Sequence, residues 1–187
     1  GARRGPENAA APSRLPAGPP ASPLIAPRFD DDEFGRLPLL WPVAPFAGPH
    51  EVAGTMGEAR GENAGRFHAG IDVRINEGTP VYAIRDGVVT DPLSTGGFGT
   101  LSEWLRIGDV TYMHIRAARS RRDLLDATRF VPTHEGDRLV GIRVKRGARF
   151  ATGEIIGTVN PFNHVHLNVG WPGEESNPLR FRLVQFE

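Results

Sequence analysis

Short β-branched or aromatic runs, each cut off by Gly or Pro, constrain the fold of this chain more than any other feature. "TPVYAI", "GVVTD", "LSEWLRI", "DVTYMHI", "LVGIRV", "EIIGTV", "HVHLNV" and "FRLVQF" have strand length and composition, and "RDG", "STGGFG", "IGD" and "KRG" lie between them as turn signals. No segment keeps a 3.6-residue apolar period over three turns. The best helical candidate, "RAARSRRDLLDATRF", is laden with arginine and reads as a helix or an exposed insertion. The expectation is a mainly β, predominantly antiparallel domain. With 187 residues there is room for one such unit plus an extension, not for a two-domain catalytic body.

The extension is expected at the start. Residues 1–35 are rich in Pro, Ala and Gly ("PAGPPASPLIAP") and end in the acidic "FDDDEF", a composition that favours extended, solvated chain. The folded unit is expected over 36–187, from "RLPLLWPV" onward. A chain that begins with Gly rather than Met reads as a processed end, and a linker of this composition could join a wall anchor or another domain upstream. There is no apolar run of signal-peptide or membrane-spanning length.

Charge and cysteine content narrow the function classes. Lys+Arg and Asp+Glu both number 22, so no net field selects nucleic acid or an anionic membrane. With no cysteine, disulfides, thiolate metal sites and cysteine nucleophiles are excluded. There is neither a Gly-x-Ser-x-Gly elbow nor a helical His-Glu-x-x-His pair.

What remains is histidine and carboxylate. Four of the six histidines, His68, His114, His164 and His166, lie in or beside apolar strand-like runs, whereas His50 and His134 read as loop histidines. In "HVH" the strand period places both rings on one face, with Cα atoms about 6.6 Å apart. His68 and Asp72 in "HAGID" would be about 13 Å apart on a straight strand. A bend at Gly70 would bring them together. A catalytic zinc takes three protein ligands and keeps one position open. His68, Asp72 and one of the two HVH histidines supply such a shell. The other imidazole and His114 are then free to move protons or stabilise an oxyanion.

Taken together, "FHAGIDV…EGTPVYAIRDGVV…TYMHI…VKRGARFATGEIIGTV…HVHLNV" resembles the LytM-type (M23, lysostaphin-like) zinc metalloendopeptidases over roughly residues 39–181. The resemblance implies a small antiparallel β-sheet or β-barrel-like domain whose long loops border an open groove. It implies one Zn²⁺ per chain held by His68, Asp72 and His166, with His114 and His164 as the catalytic pair. It also implies peptide bonds of peptidoglycan stems or cross-bridges as substrate, an extracytoplasmic location, and neither a nucleic-acid partner nor a membrane span in this chain. The alternative within the same family is a non-catalytic scaffold or activator of another wall hydrolase. A zinc hydrolase of some other extracellular peptide would use the same residues.

Two departures and one rival complete the reading. Residues 116–143 form an extended basic insertion carrying Arg116, Arg119, Arg121 and Arg122, expected as a solvated loop or a groove wall. The stretch before His68, "GENAGRF", lacks the tyrosine that some active relatives carry, so that oxyanion contact is either missing or supplied by His114 or Arg66. The glycine-rich "STGGFGT" (94–100) reads as a mobile groove rim or as a long hairpin turn. The rival is a biotinyl or lipoyl carrier hairpin around "VKRGARFATGEIIGTV"; it is disfavoured because Lys145 has no methionine neighbours.

Overall fold

A computed structural model describes residues 29–61, 65–89, 94–120 and 123–181. In chain order, a single-turn helix α1 (Asp31–Phe34) precedes β1 (Val52–Gly54), β2 (Ala59–Arg60), β3 (Arg66–Phe67), β4 (Ile71–Arg74), β5 (Pro80–Tyr82) and β6 (Gly87–Val88). Then follow β7 (Trp104–Ile107), β8 (Val110–Met113), β9 (Ile115–Ala117), β10 (Phe130–Glu135) and β11 (Arg138–Val144). The chain continues through β12 (Arg149–Phe150), β13 (Ile155–Val159), β14 (His164–Trp171), β15 (Glu174–Ser176) and a 3₁₀ turn, Pro178–Arg180. The expected mainly β, antiparallel class is what forms. The sheets stay separate and open, however, and no barrel closes among the described residues.

The central sheet has the order β1-β4-β14-β8-β7, with β15 pairing the far end of β14. Alternation along β14 gives it two different faces. Val165, Leu167 and Val169 are fully buried and pack with Ile71, Val73, Val110, Tyr112 and Leu105 in the core. Each such side chain withdrawn from water contributes about 1.5–3 kcal/mol. His164, His166 and Asn168 take the opposite face. A one-residue slip of β14 would exchange these sets, so the core enforces the register that carries the histidines. A three-stranded sheet, β5-β13-β9, and the hairpins β10-β11 and β2-β3 flank this frame. Tyr112, fully buried, accepts a hydrogen bond from Ile84 N–H at 2.9 Å, and burial pushes its phenol well above the ordinary value.

Ordered structure is also present ahead of residue 36: Asp30 caps α1 by accepting from Glu33 N–H at 2.9 Å, and Phe34 is buried against Phe181 (ring centroids 4.9 Å). Residues 1–28 and the end of "FRLVQF" lie outside the described residues. The helical candidate beginning at Arg116 is not a helix. Residues 115–117 are strand β9, and a bridge pairs Arg119 with Leu124. Much of the expected insertion is structural: β9 pairs with β13, and the β10-β11 hairpin buries Phe130, Ile142 and Val144. Within it, "LVGIRV" forms most of β11, as its composition predicts.

Candidate metal centre

Antiparallel register brings Asp72 of β4 directly opposite His166 of β14. His68 enters from the segment just ahead of β4, which runs against the end of the β1 region: His68 N–H donates to Glu58 O, and Gly57 N–H donates to His68 O, both at 2.8 Å. Gly70 is what lets this segment come so close. A Cβ there would stand 2.3 Å from the Leu167 carbonyl oxygen and 2.4 Å from Asn168 Oδ1. The glycine expected to permit a bend is thus required by close approach to β14.

Three ligand-type atoms converge as a result. His166 Nδ1 lies 2.8 Å from Asp72 Oδ1 and 2.7 Å from His68 Nε2, and His68 Nε2 lies 3.1 Å from Asp72 Oδ1. All three residues are buried. His68 Nδ1 is 2.9 Å from the Thr55 carbonyl, which can only accept, so Nδ1 carries the proton and Nε2 of the neutral ring presents a lone pair. Lone pairs of two imidazoles and a carboxylate pointed at one another repel unless a cation or shared protons lie among them. Two imidazole nitrogens and one carboxylate oxygen are the donor types of three-ligand zinc sites, and the fixed His68 tautomer is the usual outer support of such a ligand. The His68–Asp72–His166 group can therefore hold a metal.

Sequence reasoning missed the residue that holds the other carboxylate oxygen. Arg60 donates to Asp72 Oδ2 at 2.9 Å and pairs with Glu58 at 3.1 Å. Glu58 in turn accepts from Thr55 N–H at 2.9 Å. The β2-β3 region thus supports both Asp72 and the carbonyl that orients His68. Burial opposes ionisation of Asp72, but the His166 hydrogen bond and the neighbouring imidazoles outweigh it and hold the carboxyl well below the usual range. An arginine twelve residues upstream gives no spacing signal for this contact.

The other two predicted histidines face the same space. His164 Nε2 is 3.7 Å from Asp72 Oδ1, while its Nδ1–H donates to the Phe162 carbonyl at 3.0 Å. His114 sits at the corner between β8 and β9 with φ +64°, and its Nδ1–H donates to the Leu101 carbonyl at 2.7 Å. Its ring lies 4.5 Å from the His164 ring, centroid to centroid, and Phe162 stacks on it at 4.7 Å. In both rings Nδ1 is committed to a backbone carbonyl, which leaves Nε2 unprotonated in the neutral form. Burial lowers the pKa of each, against the opposing effect of these carbonyl hydrogen bonds, so both stay neutral to lower pH than a free imidazole.

The two loop histidines are not part of this group. His50 is held at Pro45 O (2.8 Å) beside Trp41, and His134 lies exposed on strand β10 rather than in a turn. Arg66 is exposed on β3, and residues 62–64 lie outside the described residues. In "STGGFGT", Gly97 and Gly99 have φ of +68° and +75°, so they serve a tight turn whose far end supplies the Leu101 carbonyl.

The fold and site together define a mainly antiparallel β domain with a His/Asp/His group able to hold a metal. No protein-family model matches the chain. Two mycobacterial proteins are similar to it, the uncharacterized protein Mb3815c of Mycobacterium bovis and the uncharacterized protein Rv3786c of Mycobacterium tuberculosis. Each is 29% identical over 126 residues, which covers 67% of this chain and 27% of the relative. The chain thus spans about a quarter of the length of these relatives. Among solved structures, Helicobacter pylori Csd3 aligns with a TM-score of 0.49 and 20% identity, covering 79% of this chain and 35% of that one.

Proposed function

We propose that this chain is a zinc-dependent endopeptidase domain that hydrolyses peptide bonds of peptidoglycan stems or cross-bridges outside the cytoplasm. The observation that carries the reading is the convergence of His68 Nε2, Asp72 Oδ1 and His166 Nδ1 with two more neutral imidazoles, His114 and His164, facing the same space. The sequence resemblance to LytM-type peptidases supplies the substrate class and location. Residues 36–187 form the catalytic unit in this reading, and the proline-rich start is a linker to whatever flanks it.

His68, Asp72 and His166 would hold the zinc, which supplies carbonyl polarisation and a more acidic water when bound. Arg60 donates to Asp72 Oδ2 and so turns Oδ1 toward the imidazoles. His164 and His114 handle protons through Nε2. Between them they accept the proton of the attacking water and return one to the departing amine, so that the peptide C–N bond breaks as a new C–O bond forms. Phe162, stacked on His114, keeps water off one face of that ring.

Mass-spectrometric profiling of glycine-bridged and directly cross-linked peptidoglycans, each incubated with the zinc-loaded protein, tests the proposal. New peptide termini are expected that disappear in a His164→Ala control. A folded, zinc-bound protein that cuts neither wall would defeat the reading and leave the scaffold alternative.

A further inference from the structure

Glu103 is the most completely buried carboxylate in the described structure, at 0% exposure, and it belongs to neither the metal group nor the proton-handling pair. Its connections run to two stretches of chain, the 97–101 turn and residues 114–119. Oε2 accepts from Gly99 N–H at 2.8 Å, within the 97–101 turn, and pairs with Arg119. Oε1 accepts from Ala117 N–H of β9 at 3.0 Å. Its backbone carbonyl accepts from His114 N–H at 2.9 Å and from Ile115 N–H at 3.3 Å. Arg119 also lies over the Phe98 ring, 4.2 Å from its centroid, and so grips the same turn from the other side.

That turn ends at the one carbonyl that orients His114. Leu101 O accepts the His114 Nδ1–H at 2.7 Å, and Asn160 Nδ2, itself buried, donates to the same oxygen at 2.9 Å. Asn160 N–H donates to the His114 carbonyl at 3.1 Å, which completes a frame around a residue at φ +64°. Burying a carboxylate costs several kcal/mol unless charged and hydrogen-bonding partners surround it. Here two backbone N–H groups and a guanidinium do so. An ionised carboxylate only accepts, so each donor that faces it is fixed in direction. Burial raises the Glu103 pKa, and the Gly99, Arg119 and Ala117 donors oppose that rise.

We infer that Glu103 is a positioning residue for His114: by anchoring the 97–101 turn it holds the Leu101 carbonyl on Nδ1, which keeps Nε2 bare in a ring whose centroid lies 4.5 Å from that of His164. The inference rests on the proposed peptidase reading for its effect on turnover, but not for its effect on the ring. It also gives Arg119, read from sequence as part of a solvated basic loop, a defined task.

The test is the tautomer of His114, read from long-range ¹H–¹⁵N correlations of the zinc-loaded full chain at one fixed pH, beside zinc stoichiometry and steady-state kinetics. The unsubstituted protein should show His114 protonated at Nδ1. Glu103→Gln keeps the shape but turns an amide NH₂ toward existing donors. It should yield mixed tautomers and lower kcat by about 100-fold, the scale set by a displaced catalytic group, while KM and zinc content hold. An unchanged tautomer with unchanged kcat in folded Glu103→Gln protein overturns the inference, as does a loss of Tm with no change at the ring. If Glu103→Gln does not fold, Arg119→Gln, at a partly exposed partner, carries the same two outcomes. If no substrate is cleaved at all, the peptidase reading fails while the tautomer still decides the role of Glu103.

Discussion

His166 and His114 face one space from very different supports. His166 lies in the middle of β14, paired with Asp72 on one side and Met113 on the other, between the fully buried Val165 and Leu167. Any displacement of its ring must disturb the core that fixes the strand register. His114 instead occupies a corner at positive φ, and a single loop carbonyl holds its ring. Asp72 and His166 therefore inherit their positions from the central sheet, whereas the ring of His114 depends on a turn that the sheet does not fix. Damage to the two regions should be separable, with metal affinity lost in one case and turnover in the other.

The sharpest way to break that comparison is to remove Asp72. Asp72→Ala deletes the oxygen shared by His68 and His166 and leaves Glu58 as the ion-pair partner of Arg60. Zinc affinity measured by chelator competition is expected to fall by well over 100-fold, beyond what loss of an outer partner alone costs. His114→Ala should bind zinc as the unsubstituted chain does, while kcat falls by about 10²–10⁴. Tight zinc binding retained by Asp72→Ala would show that the three atoms are not one ligand set.

A smaller effect is expected at Arg60. Arg60→Met keeps the length of the side chain but releases Asp72 Oδ2, so the carboxylate can rotate and either oxygen can face the imidazoles. The expected cost is about 10–100-fold in zinc affinity, typical for a hydrogen-bonding partner one step removed from the metal. Affinity within twofold of the unsubstituted chain would mean that strand pairing alone orients Asp72.

The same division explains what the sequence made legible. Strand alternation in "HVHLNV" is a local property, and it is enough to predict one buried face and one histidine face. His68 and Asp72 with one of the two HVH histidines could be singled out as a three-ligand shell from their residue types and strand positions, and the resemblance to LytM-type peptidases named His166 among them. Arg60, Glu103, Leu101 and Asn160 act through contacts between segments far apart in sequence, and two of those contacts use backbone carbonyls, which carry no sequence signature. The 116–143 stretch misled for a related reason. Its arginines suggested a solvated loop or a groove wall, but Arg119 is paired with a buried carboxylate, and "LVGIRV", itself read as a strand, pairs across the hairpin with β10.

The smallest expected effect lies in that hairpin's approach and sharpens the contrast, because no hydrogen bond there reaches the metal group. Asp126 Oδ1 accepts from Thr128 Oγ1 at 2.6 Å and from Thr128 N–H at 2.8 Å, and its other oxygen pairs with Arg129. Arg129 continues to Glu154 at 2.7 Å and lies over Phe150, tying the turn before β10 to β12 and β13. The Thr128 hydroxyl, with Thr128 N–H and Arg129, lowers the Asp126 pKa to about 2 in spite of some desolvation. A folded-state pKa below the unfolded value of about 3.9 adds stability at higher pH and withdraws it as pH falls through the folded value. The difference in Tm between the unsubstituted chain and Asp126→Asn should therefore be constant above about pH 5, shrink as pH falls toward 2, and disappear only near pH 1. For a pair this close to the surface the full difference should stay under about 1 kcal/mol. Comparing the two proteins at each pH cancels the titration of the metal ligands, which both share. A difference that persists undiminished at pH 2 would mean that the substitution acts through the shape of the turn and not through the charge of Asp126.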